Sequence, residues 1–230
     1  IDTHTPLNTT FVKGMPARGN IAFLSQSGAV CAAVIDWARG AGVGFSRLVS
    51  LGNQADANEA EMLSVIGRDI DTRVITLYME GVSDGTAFVQ AASEVAQRTP
   101  VVTLKVGRGS GAARAVASHT GALAGREEAY DAAFRRAGVI RAESFEGLFD
   151  AAMALAMQPL PKGERVAIIT NAGGPGIMAA DAVENLGLQV KPLTESISTA
   201  LREKLPAAAS VGNPIDVLGD ADPDRYEILA

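Results

Sequence analysis

IAFLSQSGAVCAAVIDWARG, residues 21–40, runs from a short apolar stretch through Gln26-Ser27-Gly28 into apolar positions at helical spacing, closed by glycine. An apolar run too short for a helix, then a small-residue turn, then a helical pattern reads as a strand feeding a helix. The same unit recurs downstream. RLVSLG (47–52) leads through NQADA to a helix over NEAEMLSVIG (58–67), and RVITLYM (73–79) leads through Glu80-Gly81 to a helix over 84–97. VVTLKV (101–106) is the fourth strand, REEAYDAAFRRAG (126–138) a helix, VIRA (139–142) a short strand, and Phe145 to Met157 a further helix. Strands that are apolar throughout, separated by helices, predict an α/β fold with a parallel sheet covered on both faces.

QPLPKGE (158–164), with its prolines and charges, reads as a linker, and beyond it the chain resembles its own beginning. VAIITNAGGPGIMAADAVENLGLQV (166–190) lies over residues 21–45 at one fixed offset, with Ala22, Gly28, Asp36 and Gly42 falling on Ala167, Gly173, Asp181 and Gly187. Both regions therefore open with a strand, a tight glycine turn and a helix. LTESISTALREKLP continues the second region as a helix, followed by the loop SVGNPIDVLGDADPD. The first eighteen residues, polar and punctuated by Pro and Gly, read as a linker, and DPDRYEILA stops within a helical pattern. The expected organisation is a linker over 1–18, one domain over 19–157, a linker over 158–164 and a second, incomplete domain over 165–230.

The chain is 47% hydrophobic and 20% charged, with a net charge of −6 and one cysteine. Without a clustered basic excess it is not expected to bind nucleic acid. A lone Cys31 forms no internal disulfide, and no apolar run is long enough to span a membrane, so a cytoplasmic location is expected. Cys31 reads as a small buried hydrophobe and Trp37 as core.

A strand turning through glycine into a helix exposes unpaired N–H groups and the positive end of the helix dipole, an arrangement suited to phosphate. Two such ends are present, at Ser27-Gly28 and at Gly173-Gly174. Each is either a phosphate site or simply the tight turn that such a sheet requires. GAGVG (40–44) follows a helix, and GRGSG (107–111) completes neither a dinucleotide fingerprint nor a P-loop. LSQSG lacks the first glycine of a nucleophile elbow, so a serine hydrolase is unsupported.

His4 and His119 are the two histidines. His4, in the linker, reads as an ordinary polar residue. His119, in SHTGALAG (118–125), follows a predicted strand, and in parallel α/β sheets residues past strand ends converge on one ligand-binding edge. There a neutral imidazole can attack phosphorus and carry a phosphoryl group covalently. A carboxylate on its other nitrogen would fix the tautomer. Glu80, in YMEG, is the candidate; the alternative is a charge at the start of the following helix. Lys105, Arg108 and Arg114 either offset phosphate charge or are solvated loop charges.

LSQSGAV, SLGNQAD, YMEGV, LKVGR, SHTGALAG and AAFRRAGVIRA together resemble the phosphohistidine-bearing domain of the NDP-forming acyl-CoA synthetases, the superfamily of succinyl-CoA synthetase. From Arg165 onward, ITNAGGPGIMAADA and NPIDVLGDAD resemble the next domain of the ADP-forming branch. The resemblance implies two flavodoxin-like domains with parallel sheets. It implies an acid–thiol ligase interconverting acyl-CoA, ADP and phosphate with free acid, CoA and ATP, through a phosphoryl group on His119 steadied by Glu80. Ser27, Gly28, Gly173 and Gly174 would form the pair of helix ends that hold that group. CoA and ATP or ADP with Mg2+ would bind mainly on a CoA-binding domain and ATP-grasp domains, in the same chain or a partner subunit, and residues 1–18 would be the exit from the CoA-binding domain. No metal site is expected in this stretch, which alone would not turn over, and oligomerisation is left open. A different class of protein also fits: fusions of this architecture to an acetyltransferase, in which the region is a non-catalytic ligand sensor or scaffold. A plain flavodoxin-like small-molecule binder would explain the glycine turns but not the SHTG loop.

Overall fold

The structure, a computed structural model, describes residues 1–107 and 127–229. Within these the chain divides into two compact units, Ile1–Leu160 and Pro161–Ala230.

In the first unit β1 (Arg18–Ser25), β2 (Phe45–Ser50), β3 (Val74–Met79), β4 (Val101–Lys105) and β5 (Ile140–Ala142) form one sheet in the order β2-β1-β3-β4-β5, with every neighbouring pair parallel. The connections carry α1 (Gly28–Ala41), α2 (Glu59–Ile66), α3 (Gly85–Ala96), α4 (Glu127–Ala137) and α5 (Phe145–Met157). Side chains alternate across a strand, so β1 feeds two cores. Ile21 and Phe23 pack with residues of α1 and α5, while Ala22 and Leu24 pack with residues of α2, α3 and α4. Phe23 and Phe45, both without exposed surface, each contribute roughly 2–3 kcal/mol by leaving water. The helix starts follow from their caps: Ser27 accepts from Val30 N–H, Asp84 from Thr86 and Ala87, Ser144 from Gly147, and Asn58 forms a capping box with Glu61.

β2 begins at Phe45, two residues ahead of the predicted RLVSLG. Gly42 ends α1 in the left-handed region (φ 68°), and Gly44 then lies against Gly19 so closely that a Cβ on Gly19 would sit 2.3 Å from the Gly44 carbonyl. Only glycine at both positions lets β2 join β1 at once.

One expectation is corrected here. Trp37 is 43% exposed, not core. Its ring packs on Phe149, 4.7 Å between centroids, and its outer side lines a cavity of about 600 Å³ with Val30, Val34 and Phe145; the indole stands at the margin of the apolar stripe of α1. The opening residues, read as linker, are docked. Asp2 bridges Leu7 and Arg47, the Ile1 ammonium donates to the Leu48 carbonyl at 2.7 Å, and Thr3 is buried. Arg47 reaches Asp2 (3.0 Å), Asp69 (3.2 Å) and Asp71 (3.5 Å). An outer strand presents unpaired backbone groups, and this segment covers part of that edge of β2.

In the second unit β6 (Ile169–Thr170), β7 (Ser210–Val211) and β8 (Ile215–Asp216) form a small sheet in the order β6-β8-β7. It is accompanied by α6 (Gly173–Asn185), α7 (Glu195–Lys204) and α8 (Pro223–Glu227). β6 and β8 are parallel, as expected, but β7 and β8 are antiparallel. Only Gly212-Asn213-Pro214 separates these two strands, far short of a parallel crossover. The core is correspondingly small: Leu201, Leu205, Val211, Ile215 and Val217. The internal repeat survives in backbone geometry. Gly28 and Gly173 are each the first residue of a helix, and Gly42 and Gly187 both take positive φ, 68° and 77°, where α1 and α6 end.

Candidate functional site

The order β2-β1-β3 means that the chain leaves β1 to one side and returns on the other. The crevice at the carboxyl ends of β1 and β3 is the topological switch point where such sheets bind ligands. Three turns meet this edge, after Ser25, Met79 and Lys105.

Gln26 spans the crevice. Its Oε1 accepts from the backbone N–H of Glu80 at 2.6 Å and of Gly81 at 3.0 Å, and its Nε2 donates to the Gly81 carbonyl at 2.7 Å. Ser25 braces the next turn, its hydroxyl accepting from Ser27 N–H (3.0 Å) and donating to the Ser27 carbonyl (2.9 Å). These bonds set the start of α1 beside the Glu80 turn. The Ser27 hydroxyl takes the Val30 N–H at a long 3.4 Å, and the first amides of the helix have no carbonyl one turn back.

Glu80 is 9% exposed, and its Oε2 is buried without a hydrogen-bond partner among the described residues. Buried polar atoms are nearly always satisfied, so an orphaned one calls for an explanation. Its charge is felt nearby: burial first, and then Glu80, push the Tyr78 phenol above its ordinary value. Glu80 does not serve as the cap of α3, a role taken by Asp84.

Sequence reasoning missed several neighbours. Glu59, at the start of α2, is 2% exposed, and burial raises its carboxyl pKa; Gln26 Nε2 reaches its Oε2 at 3.5 Å. Tyr130 of α4 accepts the Val82 N–H at 3.2 Å, pinning the loop after Glu80. Lys105 is not a solvated loop charge: it is 1% exposed, with its ammonium 4.6 Å from the centre of the Tyr130 ring. Burial lowers its pKa, opposed by Glu127 and Glu80 and assisted by Arg141. The available signal was a lysine closing an otherwise apolar strand. Gln26, one residue before a serine cap, offered none beyond its position.

His119, Arg108 and Arg114 lie outside the described residues. His4 is a satisfied polar residue, its Nε2 2.9 Å from the Gly19 carbonyl. Cys31 is buried, which pushes its thiol up to about 11. In the second unit, Gly173 opens α6 with no side-chain cap on the helix. A Cβ on Gly174 would meet nothing within 4 Å, and one on Gly173 would come 3.4 Å from Asp216 Oδ2. That helix end is thus open on the Gly174 side and faces a carboxylate at Gly173.

The succinyl-CoA ligase-like flavodoxin domain family matches residues 18–155, and the Ligase-CoA domain family matches residues 166–229. The chain is 48% identical over 226 residues to acetate–CoA ligase (ADP-forming) I of Archaeoglobus fulgidus, covering 98% of this chain and 33% of that protein. It is 41% identical to the alpha subunit of acetate–CoA ligase (ADP-forming) II of Pyrococcus furiosus, covering 98% of this chain and 49% of that subunit. A solved acetyl-coenzyme A synthetase 1 from Ca. Korarchaeum cryptofilum, in complex with phosphate and ADP, superposes with a TM-score of 0.93 at 37% identity, covering 99% of this chain and 50% of that one. The chain thus spans a third to a half of the length of the relatives it matches. With a matched parallel sheet and a matched second unit, this chain belongs to the succinyl-CoA ligase-like flavodoxin domain family, joined to a Ligase-CoA domain.

Proposed function

We propose that this chain is the phosphoryl-carrying part of an ADP-forming acid–CoA ligase. His119 takes a phosphoryl group from an acyl phosphate: a ring nitrogen's lone pair forms the N–P bond as the P–O bond to the acyl oxygen breaks, and that electron pair leaves with the carboxylate. An oxygen of the ADP β-phosphate then attacks phosphorus, and the N–P electrons return to the ring. Glu80 accepts the N–H of the other ring nitrogen, which orients the ring and steadies its positive charge. The amides of Ser27-Gly28 and of Gly173-Gly174 bind phosphate oxygens.

The observation that carries this reading is the Glu80 Oε2, buried and without a hydrogen-bond partner among the described residues, at the switch-point crevice and one hydrogen-bonded turn from the start of α1. Among the described residues no cluster of three histidine, cysteine or carboxylate groups could hold a metal ion; Mg2+ would accompany the nucleotide on the ATP-grasp part, and no step here runs through it. No described helix is long and apolar enough to cross a membrane. The enzyme works in the cytoplasm with a CoA-binding part and an ATP-grasp part, and residues 1–230 alone do not complete the reaction.

The test is CoA- and ATP-dependent acyl-CoA formation by the complete protein over a panel of aliphatic and aromatic acids. Activity on at least one acid, abolished by His119→Ala, is expected. Ligand binding without acyl-CoA formation from any acid would overturn the reading in favour of a sensor.

A further inference from the structure

A cavity of about 580 Å³ opens within the second unit, between the residues that lead into β6 and those that lead into α7. Its volume lies in the range of small-ligand sites. Lys162, Arg165 and Lys191 line it, and no aspartate or glutamate does. Among the described residues none of these three cations forms an ion pair. Glu164, between two of them in sequence, does not line the cavity; its Oε2 accepts from Gln189 Nε2 at 3.4 Å. The chain carries a net charge of −6, so the cavity is a local reversal of its sign. A cleft walled by one sign of charge concentrates ions of the other.

The rest of the lining is largely apolar. Pro192, Leu193 and Ile197 supply much of it, and Ile197 is 48% exposed. One side chain fixes the backbone on both sides. Asn213 Nδ2 donates to the carbonyls of Val166 (2.8 Å) and Lys191 (2.9 Å), and its Oδ1 accepts the Ile168 N–H at 2.9 Å. Arg165 is held further by its parallel bridge to Gln189. The backbone that carries Arg165 and Lys191 is thus set in advance, which spares a ligand the cost of ordering it.

An inorganic ion would use the cations and leave the apolar wall wet. A neutral apolar ligand would cover that wall and leave the charges unanswered. A nucleotide, with several phosphate charges and a flat base on one frame, uses both. We propose that this cavity binds a nucleoside polyphosphate, with its phosphates on Lys162, Arg165 and Lys191 and its base against Pro192, Leu193 and Ile197. That chemistry belongs to free ADP or ATP and equally to the nucleotide end of CoA. The site goes beyond the phosphoryl-transfer reading and uses none of the residues assigned there.

The experiment irradiates the complete protein with a photoreactive azido derivative of ADP and maps the labelled peptides by mass spectrometry, so that nucleotide held elsewhere in the protein is read separately. Label is expected within residues 161–167 or 191–197, displaced by ADP or by CoA; the stronger competitor of the two identifies the source. Inorganic pyrophosphate and adenosine, each carrying half of the chemistry, should displace it far less. Arg165 and Lys191 are exposed, so Arg165→Glu and Lys191→Glu should keep the wild-type Tm. Each should lower labelling of these peptides at sub-saturating probe by about tenfold. Salt gives the same reading without substitution: at about 1 M, where the Debye length is ~3 Å, labelling here should weaken. Absence of label in these peptides would overturn the proposal. So would displacement by pyrophosphate or adenosine as readily as by ADP or CoA, or labelling indifferent to both charge reversals and to salt. Failure of acyl-CoA formation would overturn the ligase reading and leave this labelling result to stand or fall by itself.

Discussion

The Gln26 side chain accepts from the Glu80 N–H at 2.6 Å and the Gly81 N–H at 3.0 Å. One side chain thus ties the turn that starts α1 to the turn that carries the candidate carboxylate.

Replacing Gln26 by Leu removes that acceptor and leaves two largely buried amides unpaired, each at a cost of roughly 1–3 kcal/mol. Chemical denaturation should show a loss of about 2–4 kcal/mol. Phosphorylation of the complete protein should slow by at least tenfold under conditions where the variant is fully folded. Unchanged stability would mean that water satisfies both amides.

Glu59 is buried, and desolvation raises its folded pKa above the ordinary glutamate value. A raised carboxyl pKa means that the folded state prefers the protonated form. Its contribution is fully present below the unfolded pKa and is lost as pH rises through the folded one. Glu59→Gln should therefore be more stable than wild type at pH 7, by about 1 kcal/mol or roughly 2–4 °C in Tm. The difference should vanish below the unfolded pKa. Thermal melts at several pH values check the sign.

Cys31 is buried and its thiol is pushed up to about 11. Only the thiolate reacts. In the native protein at pH 8 its alkylation should be about a hundredfold slower than in the denatured chain, followed by mass spectrometry.

Two glycines separate backbone crowding from helix propensity. A Cβ on Gly19 meets the Gly44 carbonyl, whereas one on Gly40, inside α1, meets nothing within 4 Å. Gly19→Ala should destabilise by about 3 kcal/mol, and Gly40→Ala should stabilise by about 0.5–1 kcal/mol. Denaturation midpoints of the pair decide it.

The first unit was readable because its signals are local. Each strand is one apolar run, and α1, α2, α3 and α5 each have a cap visible in the sequence, at Ser27, Asn58, Asp84 and Ser144. The ends of predicted and observed elements there differ by at most three residues, the largest gap being the start of β1 at Arg18. The second unit was less legible, since Val166–Thr170 carries the composition of a full strand yet only Ile169–Thr170 pair in the sheet. The antiparallel β7 and β8 were not separated from loop at all. Glu80 could be named because it follows a strand, and Lys105 could be named only with its role left open; Gln26 and Glu59 could not, because their roles depend on side chains from different strands and helices meeting at one edge. Trp37 was misread because periodicity places a residue on a face but does not say how near the margin it lies.

The account stands most directly on one measurement. The complete protein, incubated with [γ-32P]ATP, should take up label that is labile in acid and stable in base, with none in His119→Ala and at least tenfold less in Glu80→Gln. Label that survives His119→Ala, or wild-type protein that takes up none, would contradict it.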